Sequence, residues 1–547
     1  MSKVAGRHHL HRRTDLSLRL LSLSPVTALA IAMMWWPEYG DQSLFVLGAR
    51  QLREGSAYYR DFWDIKQPGL YWFYQLGDLL VAGGAGARLL EAALAVGAGL
   101  LVLSITADWS LRRWVRIAAP TLVLGPYLTW SYLGGVGQIE GLMNVLILAV
   151  IRLTWPSPAA VPRTAPDRPD QWARVTSTWS WFGAGLVVGL VVLLKTLYTP
   201  LALAPLVAAV AMGARSGLRV LIGRIAASAL GAAVPVAAAF WYFADQGTLG
   251  LALFTTFDLP SQVAGNPNLH PAGASAEVTR AIKNMFPVTG PLAVIGLLGT
   301  RHRGTWIRDG AVALLVLLEL ALAYPQLWTP YRFLMLSAPV GLLAALGLES
   351  TANWFSARAR PGGWVPTLRV AGTLAALGLT AAALRMPAHL LFNAGDQAWG
   401  LNSAARIDRS ETPANFRAAA VVADQVTPGE QIYVVGDPSV IALLQARQGL
   451  ELTGWSLEQM PPRVWAEATR ELIRSRPALV YVDDTTQDWT LIKQEQGKAF
   501  FDELGQQYQV LSATADGTWY QTAEPGTPLP APGGNQLRSV SVDADAS

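Results

Sequence analysis

The sequence predicts an α-helical, multi-span membrane protein of about eleven transmembrane helices, followed by a small extracytoplasmic α/β domain. Three observations carry this. Apolar runs of membrane-spanning length recur from Leu20 to Leu384, as in Ile117 to Leu133 and in Ala311 to Tyr324 with its flanks. A bilayer core takes about 20 residues per helix, because every backbone group in lipid must be paired within its own segment. Charge is sparse, at 15% of the 547 residues, against about 25% in ordinary soluble domains. After Met386 the character changes to short apolar runs set between polar ones. The distribution decides the class, since the overall 52% hydrophobic content is within reach of a large soluble enzyme.

A basic leader containing Arg7, Arg12 and Arg13 precedes an apolar run ending in Met33-Met34-Trp35-Trp36-Pro37. No small-residue cleavage site closes that run, and its aromatic end marks an interface, so it reads as a signal anchor. Alternate loops then differ in charge. The N-terminus and the segments around Arg112, Arg163, Arg219, Arg303 and Arg360 each carry three to five basic residues. Gly134 to Glu140 carries none, and Asp245 to Asn284 only Arg280 and Lys283. Basic loops stay inside, which puts the N-terminus in the cytoplasm and, with an odd number of spans, the C-terminal domain outside. One outer loop, Pro37 to Gln67, breaks the rule with Arg50, Arg53, Arg60 and Lys66.

Two stretches need separate treatment. Pro68 to Gly84 is short, and reads as an interfacial or dipping helix. Trp181 to Gly213 is 33 residues, roughly 50 Å as one helix and too long for a single span. Lys195, Pro200 and Pro205 divide it into two short spans. The expected organisation is a membrane domain over 1–390, a soluble α/β domain over 391–525 and a disordered tail rich in Pro, Gly, Ser and Asp over 526–547. Within the soluble part, Gln431–Val435 and Ala478–Val482 read as buried strands, Ser439–Gln448 and Arg463–Ser475 as helices, and Tyr508–Ser512 with Gly517–Thr522 as a closing hairpin.

Cysteine is absent, which excludes disulfides, Cys-based zinc sites and thiol nucleophiles. The net charge of +4 lies in scattered loop residues and reads as topology, not as a nucleic-acid surface. His270 and His302 stand alone without ligand spacing, so no metal site is expected from them. Asp167 and Asp170 sit among Arg163, Arg168 and Arg174 in a Pro-rich loop, where solvated charge is the ordinary reading.

Ionisable groups near a membrane are costly unless solvated or paired, which makes each a functional candidate. The outer face gathers Asp41, Asp61, Asp64, Lys66, Glu140 (in GGVGQIEGLMN), Lys195, and Tyr331 with Arg332 (in WTPYRFLML). Each has a plain alternative. Asp41 suits the cap of the helix that follows, Asp61 and Asp64 suit a solvated loop, and Lys66 suits an interfacial anchor. Glu140 is hardest to explain plainly, since its loop has no cation.

The run PEYGDQSLFVLGARQLREGSAYYRDFWDIKQPGLYWFYQLG resembles the first extracytoplasmic loop of GT-C-fold glycosyltransferases that use polyprenyl-phosphate sugars. It is most similar to the bacterial relatives of protein mannosyltransferase and of lipid A aminoarabinose transferase. Asp41, Gly55, Tyr59 with Asp61, and Lys66-Gln67-Pro68 fill that pattern in order. The resemblance implies inverting sugar transfer from a polyprenyl-phosphate donor to a glycan, glycolipid or protein acceptor, outside a plasma (inner) membrane. It implies Asp41 as general base and Lys66 as phosphate contact, with Lys195 or Arg332 assisting and Glu140 as the second-loop acid. Tyr59, Asp61, Asp64 and Tyr331 join the expected substrate site. No cofactor is implied, with a divalent metal left open. Where many relatives carry Asp-Glu, this chain has Asp41-Gln42, which weakens any metal expectation. A transporter or flippase, the rival reading, would bring internal repeats and mid-membrane charges.

Overall fold

The computed structural model describes residues 2–34, 38, 40–130, 135–155, 176–213, 217–264, 274–299, 306–323, 330–358, 412–455, 457–485 and 490–523. The chain divides into two compact units, Met1–Pro413 and Ala414–Ser547.

Among the described residues, the regular elements of the first unit are helices. Its helices are α1 (Ser2–Met33), α2 (Gly40–Arg53), α3 (Pro68–Leu80), α4 (Gly84–Asp108), α5 (Arg113–Trp130), α6 (Ile139–Thr154), α7 (Thr178–Lys195), α8 (Thr199–Met212) and α9 (Leu218–Asp245). There follow α10 (Leu249–Leu253), α11 (Leu259–Ala264), α12 (Ala274–Met285), α13 (Thr289–Leu298), α14 (Trp306–Ala323) and α15 (Ser337–Arg358). Among the described residues, four stretches are long and apolar enough to cross a bilayer: Gly84–Asp108, Thr178–Met212, Leu218–Asp245 and Tyr331–Ser356. Other apolar runs form helices that are shorter or more polar than these. Helix α14 carries Arg308, Asp309 and Glu319, α6 and α13 have only 16 and 10 residues, and the last expected span falls outside the described residues.

The elements follow from the sequence. Pro68 opens α3 in the first turn, where its missing N–H costs nothing. At 13 residues, α3 is about 20 Å long and too short to span. The Ser177 hydroxyl caps α7 by accepting the Ser180 amide at 3.1 Å. The long apolar stretch after it breaks where Lys195 turns to extended backbone, followed by a 3-10 turn at Thr196–Tyr198. Helices approach closely through small residues. A side chain at Gly185 would meet the Ser228 carbonyl of α9, one at Gly231 the Phe182 carbonyl of α7, and one at Gly347 the Leu292 carbonyl of α13. Asn144 of α6 bridges to the start of α15: its Nδ2 donates to Leu334 O at 2.9 Å, and its Oδ1 accepts the Ala338 amide at 2.8 Å. That amide is one of the orphan donors of a helix N-terminus.

The second unit contains a five-stranded sheet in the order β2-β1-β3-β5-β4. Its strands are β1 (Gln431–Val435), β2 (Arg447–Gln448), β3 (Leu479–Asp483), β4 (Tyr508–Ala513) and β5 (Gly517–Thr522). β1 pairs in parallel with β2 and β3, Tyr433 lying opposite Val480, while β5 runs antiparallel to β3 and β4. A helix at Pro462–Ser475 places Val464, Trp465, Ala468 and Leu472 in the core. The helix expected over Ser439–Gln448 ends at Leu443, because Gln445 takes a left-handed conformation at φ 52° and Arg447-Gln448 join the sheet edge.

Glu471 in this unit accepts the Leu452 amide at 3.0 Å, and burial is the main cause that pushes its carboxyl up to about 7. The unfolded group titrates near 4.3. Between those values the folded chain holds the extra proton, so stability contributed here is present at low pH and lost as pH rises towards 7. The loss is on the order of 2 kcal/mol. Proteolysis within residues 414–523 of the full chain, followed against denaturant, is expected to show a lower midpoint at pH 7.5 than at pH 5. Glu471→Gln should flatten that difference, and an unchanged slope would reject the assignment.

Candidate functional site

Asp41 lies in the first turn of α2, where helix N-terminal dipoles favour a carboxylate. Its side chain is only 4% exposed, and three elements distant in sequence reach it. Gln138 Nε2 donates to Oδ2 at 2.9 Å, the Tyr331 hydroxyl to the same oxygen at 3.4 Å, and Lys66 Nζ to Oδ1 at 3.4 Å. A buried carboxylate needs such donors to stay ionised.

Lys66 is delivered by the loop between α2 and α3. The loop turns at Gly55 (φ 101°) and Tyr59 (φ 70°), the latter a conformation costing a tyrosine about 1–3 kcal/mol. Packing holds it there. Tyr59 is buried against Tyr58, with ring centroids 4.1 Å apart, and against Phe243 at 5.4 Å. The Tyr58 and Tyr59 hydroxyls donate to the Lys66 carbonyl at 2.7 and 3.4 Å. Asp64 is buried, accepting the Tyr71 hydroxyl at 2.8 Å and the Lys66 amide at 3.3 Å. Burial acts to lower the Lys66 pKa, but the Asp41 and Asp64 carboxylates outweigh it and raise it. Lys66 is therefore an ammonium.

A second pair stands beside the first. Lys195, the last residue of α7, donates from Nζ to Glu140 Oε1 at 2.9 Å and to the Tyr198 hydroxyl at 3.0 Å. Tyr198 donates to the same Glu140 oxygen at 2.7 Å. Arg332 lies over the Tyr331 ring at 5.8 Å, within electrostatic reach of Asp41, Glu140, Lys66 and Lys195. Three cations and the carboxylates of Asp41, Asp64 and Glu140 thus form one cluster.

Of the residues singled out in the sequence, Asp41, Asp64, Lys66, Glu140, Lys195, Tyr331 and Arg332 are brought together. Asp64 is not the solvated loop charge that its surroundings in sequence suggested. Tyr59 belongs to the fold of the loop through its bond to Lys66. Asp61 turns away, accepting the Ala57 amide at 2.7 Å and pairing with Arg60, which holds its carboxyl below the usual range. Most of the excess of basic residues in this loop is paired locally. Arg50 pairs with Glu54, Arg53 with Asp78 and Arg60 with Asp61, and of the four only Lys66 faces the cluster. His270, His302, Asp167 and Asp170 lie outside the described residues. Among the described residues no group of three or more His, Asp or Glu could hold a metal ion.

Sequence reasoning missed Gln138, Tyr198 and Gln42. Gln42 Nε2 donates to the Val136 carbonyl at 2.8 Å, a bond that an ionised carboxylate at this position cannot make. The departure from an Asp-Glu pair therefore has a structural use here. Glu91, an acid in the apolar helix α4, was a signal open to the same rule that picked out Glu140.

No protein-family model matches the sequence, and no curated protein sequence matches it. Among solved structures the chain is similar to ArnT from Cupriavidus metallidurans in the apo state, with TM-score 0.51 and 14% identity over 95% of this chain and 98% of that one. It is similar also to the same protein bound to undecaprenyl phosphate, with TM-score 0.52 and 14% identity over 92% and 97% of the two chains. Over nearly its whole length the chain has the fold of ArnT, in agreement with the GT-C-like resemblance carried by its first outer loop.

Proposed function

We propose that this protein is a membrane glycosyltransferase that moves a sugar from a polyprenyl-phosphate donor to an acceptor outside the plasma membrane. In this topology the N-terminus is cytoplasmic and the C-terminal unit extracytoplasmic. The observation that supports it is the meeting of Asp41 and Lys66 at 3.4 Å, beside Arg332 and the Glu140–Lys195 pair, in a fold that in ArnT binds undecaprenyl phosphate. A base and a set of cations are the two things this transfer needs from a protein.

In the reaction, the acceptor oxygen attacks the anomeric carbon from the face opposite the phosphate. Asp41 takes the hydroxyl proton, the new C–O bond forms, and the bond to the phosphate oxygen breaks with its electron pair leaving on the lipid phosphate. Inversion follows from the single displacement. Lys66, Lys195 and Arg332 offset the charge of the phosphate. Lys66 is paired with Asp41 at 3.4 Å. A bound phosphate draws the ammonium towards itself, removes one donor from Asp41, and so makes the carboxylate more basic when the donor is seated.

The test is transfer from labelled undecaprenyl-phosphate sugars by purified protein. Asp41→Asn is expected to lower kcat by about 10²–10⁴-fold; equal rates for wild type and variant would remove Asp41 from its role, and no transfer with any donor would favour a transporter. Lys195→Met leaves Glu140 buried without its cation, at about 3–5 kcal/mol. It is expected to lower thermal stability, with Lys195→Met/Glu140→Gln restoring stability and not transfer. A stable but inactive single variant would contradict the pairing energetics.

A further inference from the structure

Beneath the cluster lies a chain of buried polar contacts that the proposed reaction does not itself use. The turn before α6 is fixed on every side. Glu91 of α4 accepts the Gly137 amide at 2.8 Å through Oε2, and the Tyr127 hydroxyl of α5 donates to its Oε1. The Tyr74 hydroxyl of α3 donates to the Gly137 carbonyl at 3.4 Å, and Gln42 holds the Val136 carbonyl. Gly137 has φ 70°, and a side chain there would collide with the Tyr74 hydroxyl, so a glycine is required. The next residue is Gln138, whose Nε2 grips Asp41 Oδ2 at 2.9 Å. Glu91 and Gln138 are 1% and 2% exposed.

We propose that Glu91 and Gln138 are positioning residues: Glu91 locks the turn at Gly137, and through it Gln138 sets the orientation and proton affinity of the Asp41 carboxylate. The geometry admits no slack between them, since one peptide separates the bond made by Glu91 from the side chain that reaches Asp41. The Gln138 nitrogen must face a carboxylate, because its oxygen would be repelled there. A donor at 2.9 Å stabilises the charged carboxylate, so its removal raises the pH at which Asp41 takes up a proton. The other groups facing Asp41 are Lys66 from the loop, Tyr331 and Arg332 from the turn before α15, and Tyr71 and Tyr74 from α3. None of these is altered by the substitutions below. The role of Gln138 in catalysis rests on Asp41 being the base, whereas its effect on the Asp41 proton does not.

The experiment therefore reads that proton directly. Modification of Asp41 by dicyclohexylcarbodiimide is followed by mass spectrometry across pH in the full-length protein. Gln138→Ala is expected to move the midpoint about 0.5–1 pH unit upward, and Glu91→Ala to move it in the same direction. Glu91→Gln, whose side-chain oxygen still accepts the Gly137 amide, should return it close to wild type. Should Glu91→Ala not accumulate as folded protein, Glu91→Asp, which keeps the charge and shortens the reach, takes its place with the same expectation. In the transfer assay these variants should lower kcat about tenfold with KM for the lipid donor nearly unchanged, and shift the acid limb of kcat with the labelling midpoint. An Asp41 midpoint identical in all variants would overturn the positioning role. An active Asp41→Asn together with moved midpoints would overturn the base assignment alone.

Discussion

A carboxylate at the edge of a bilayer stays ionised only where fixed donors and cations stand in for the water it has lost. Asp41 meets that constraint with an amide, a hydroxyl and an ammonium. They come from the turn before α6, the turn before α15 and the loop between α2 and α3. Those three segments lie up to 290 residues from Asp41 in the sequence, and each carries its own bracing. Tyr58, Tyr59 and Asp64 hold the Lys66 backbone, and Asn144 ties α6 to the start of α15. The arrangement of helices around these three segments can be understood as what satisfying one buried charge requires.

The second constraint is neutrality. Lys66, Lys195 and Arg332 stand against Asp41, Asp64 and Glu140, so that the cluster carries no large net charge. Isolated cations in such a place would each cost several kcal/mol, whereas paired ones are tolerated. The pairs differ in closeness: Lys195 sits at 2.9 Å from Glu140 with a tyrosine between them, and Lys66 at 3.4 Å from Asp41. The looser pair is the one on the carboxylate assigned the chemical role, and so the one an anion can most readily rearrange.

Close helix packing serves the same end. Glycines at the α7–α9 and α13–α15 contacts bring backbones together where any side chain would collide. This fixes the end of α7, and with it Lys195, relative to its neighbours. Much of α9 presents apolar side chains outward, Trp241 at 74% exposure among them, as a lipid-facing helix does. Rigid packing on one side and a greasy surface on the other are the expected setting for a membrane-embedded polar site.

Periodicity, composition and loop charge in the sequence were enough to indicate a helical membrane protein, the break at Lys195 and four of the five strands of the C-terminal unit. These are one-dimensional signals: the length of an apolar run and the spacing of polar residues. The segment 37–67 also carried enough of a pattern to single out Asp41 and Lys66, and Glu140 stood out as the acid of a second loop that has no cation. The tertiary structure alone decided which charges share a site. It sent Asp61 to Arg60 and Asp64 to Tyr71 and the Lys66 amide, though the two acids stand three residues apart in one loop. It also gave Gln42 a backbone partner and brought in Gln138, Tyr198 and Glu91, which no motif announced. Hydrogen-bond partnership depends on which backbone and side-chain atoms meet across elements far apart in sequence, and no local pattern encodes that meeting.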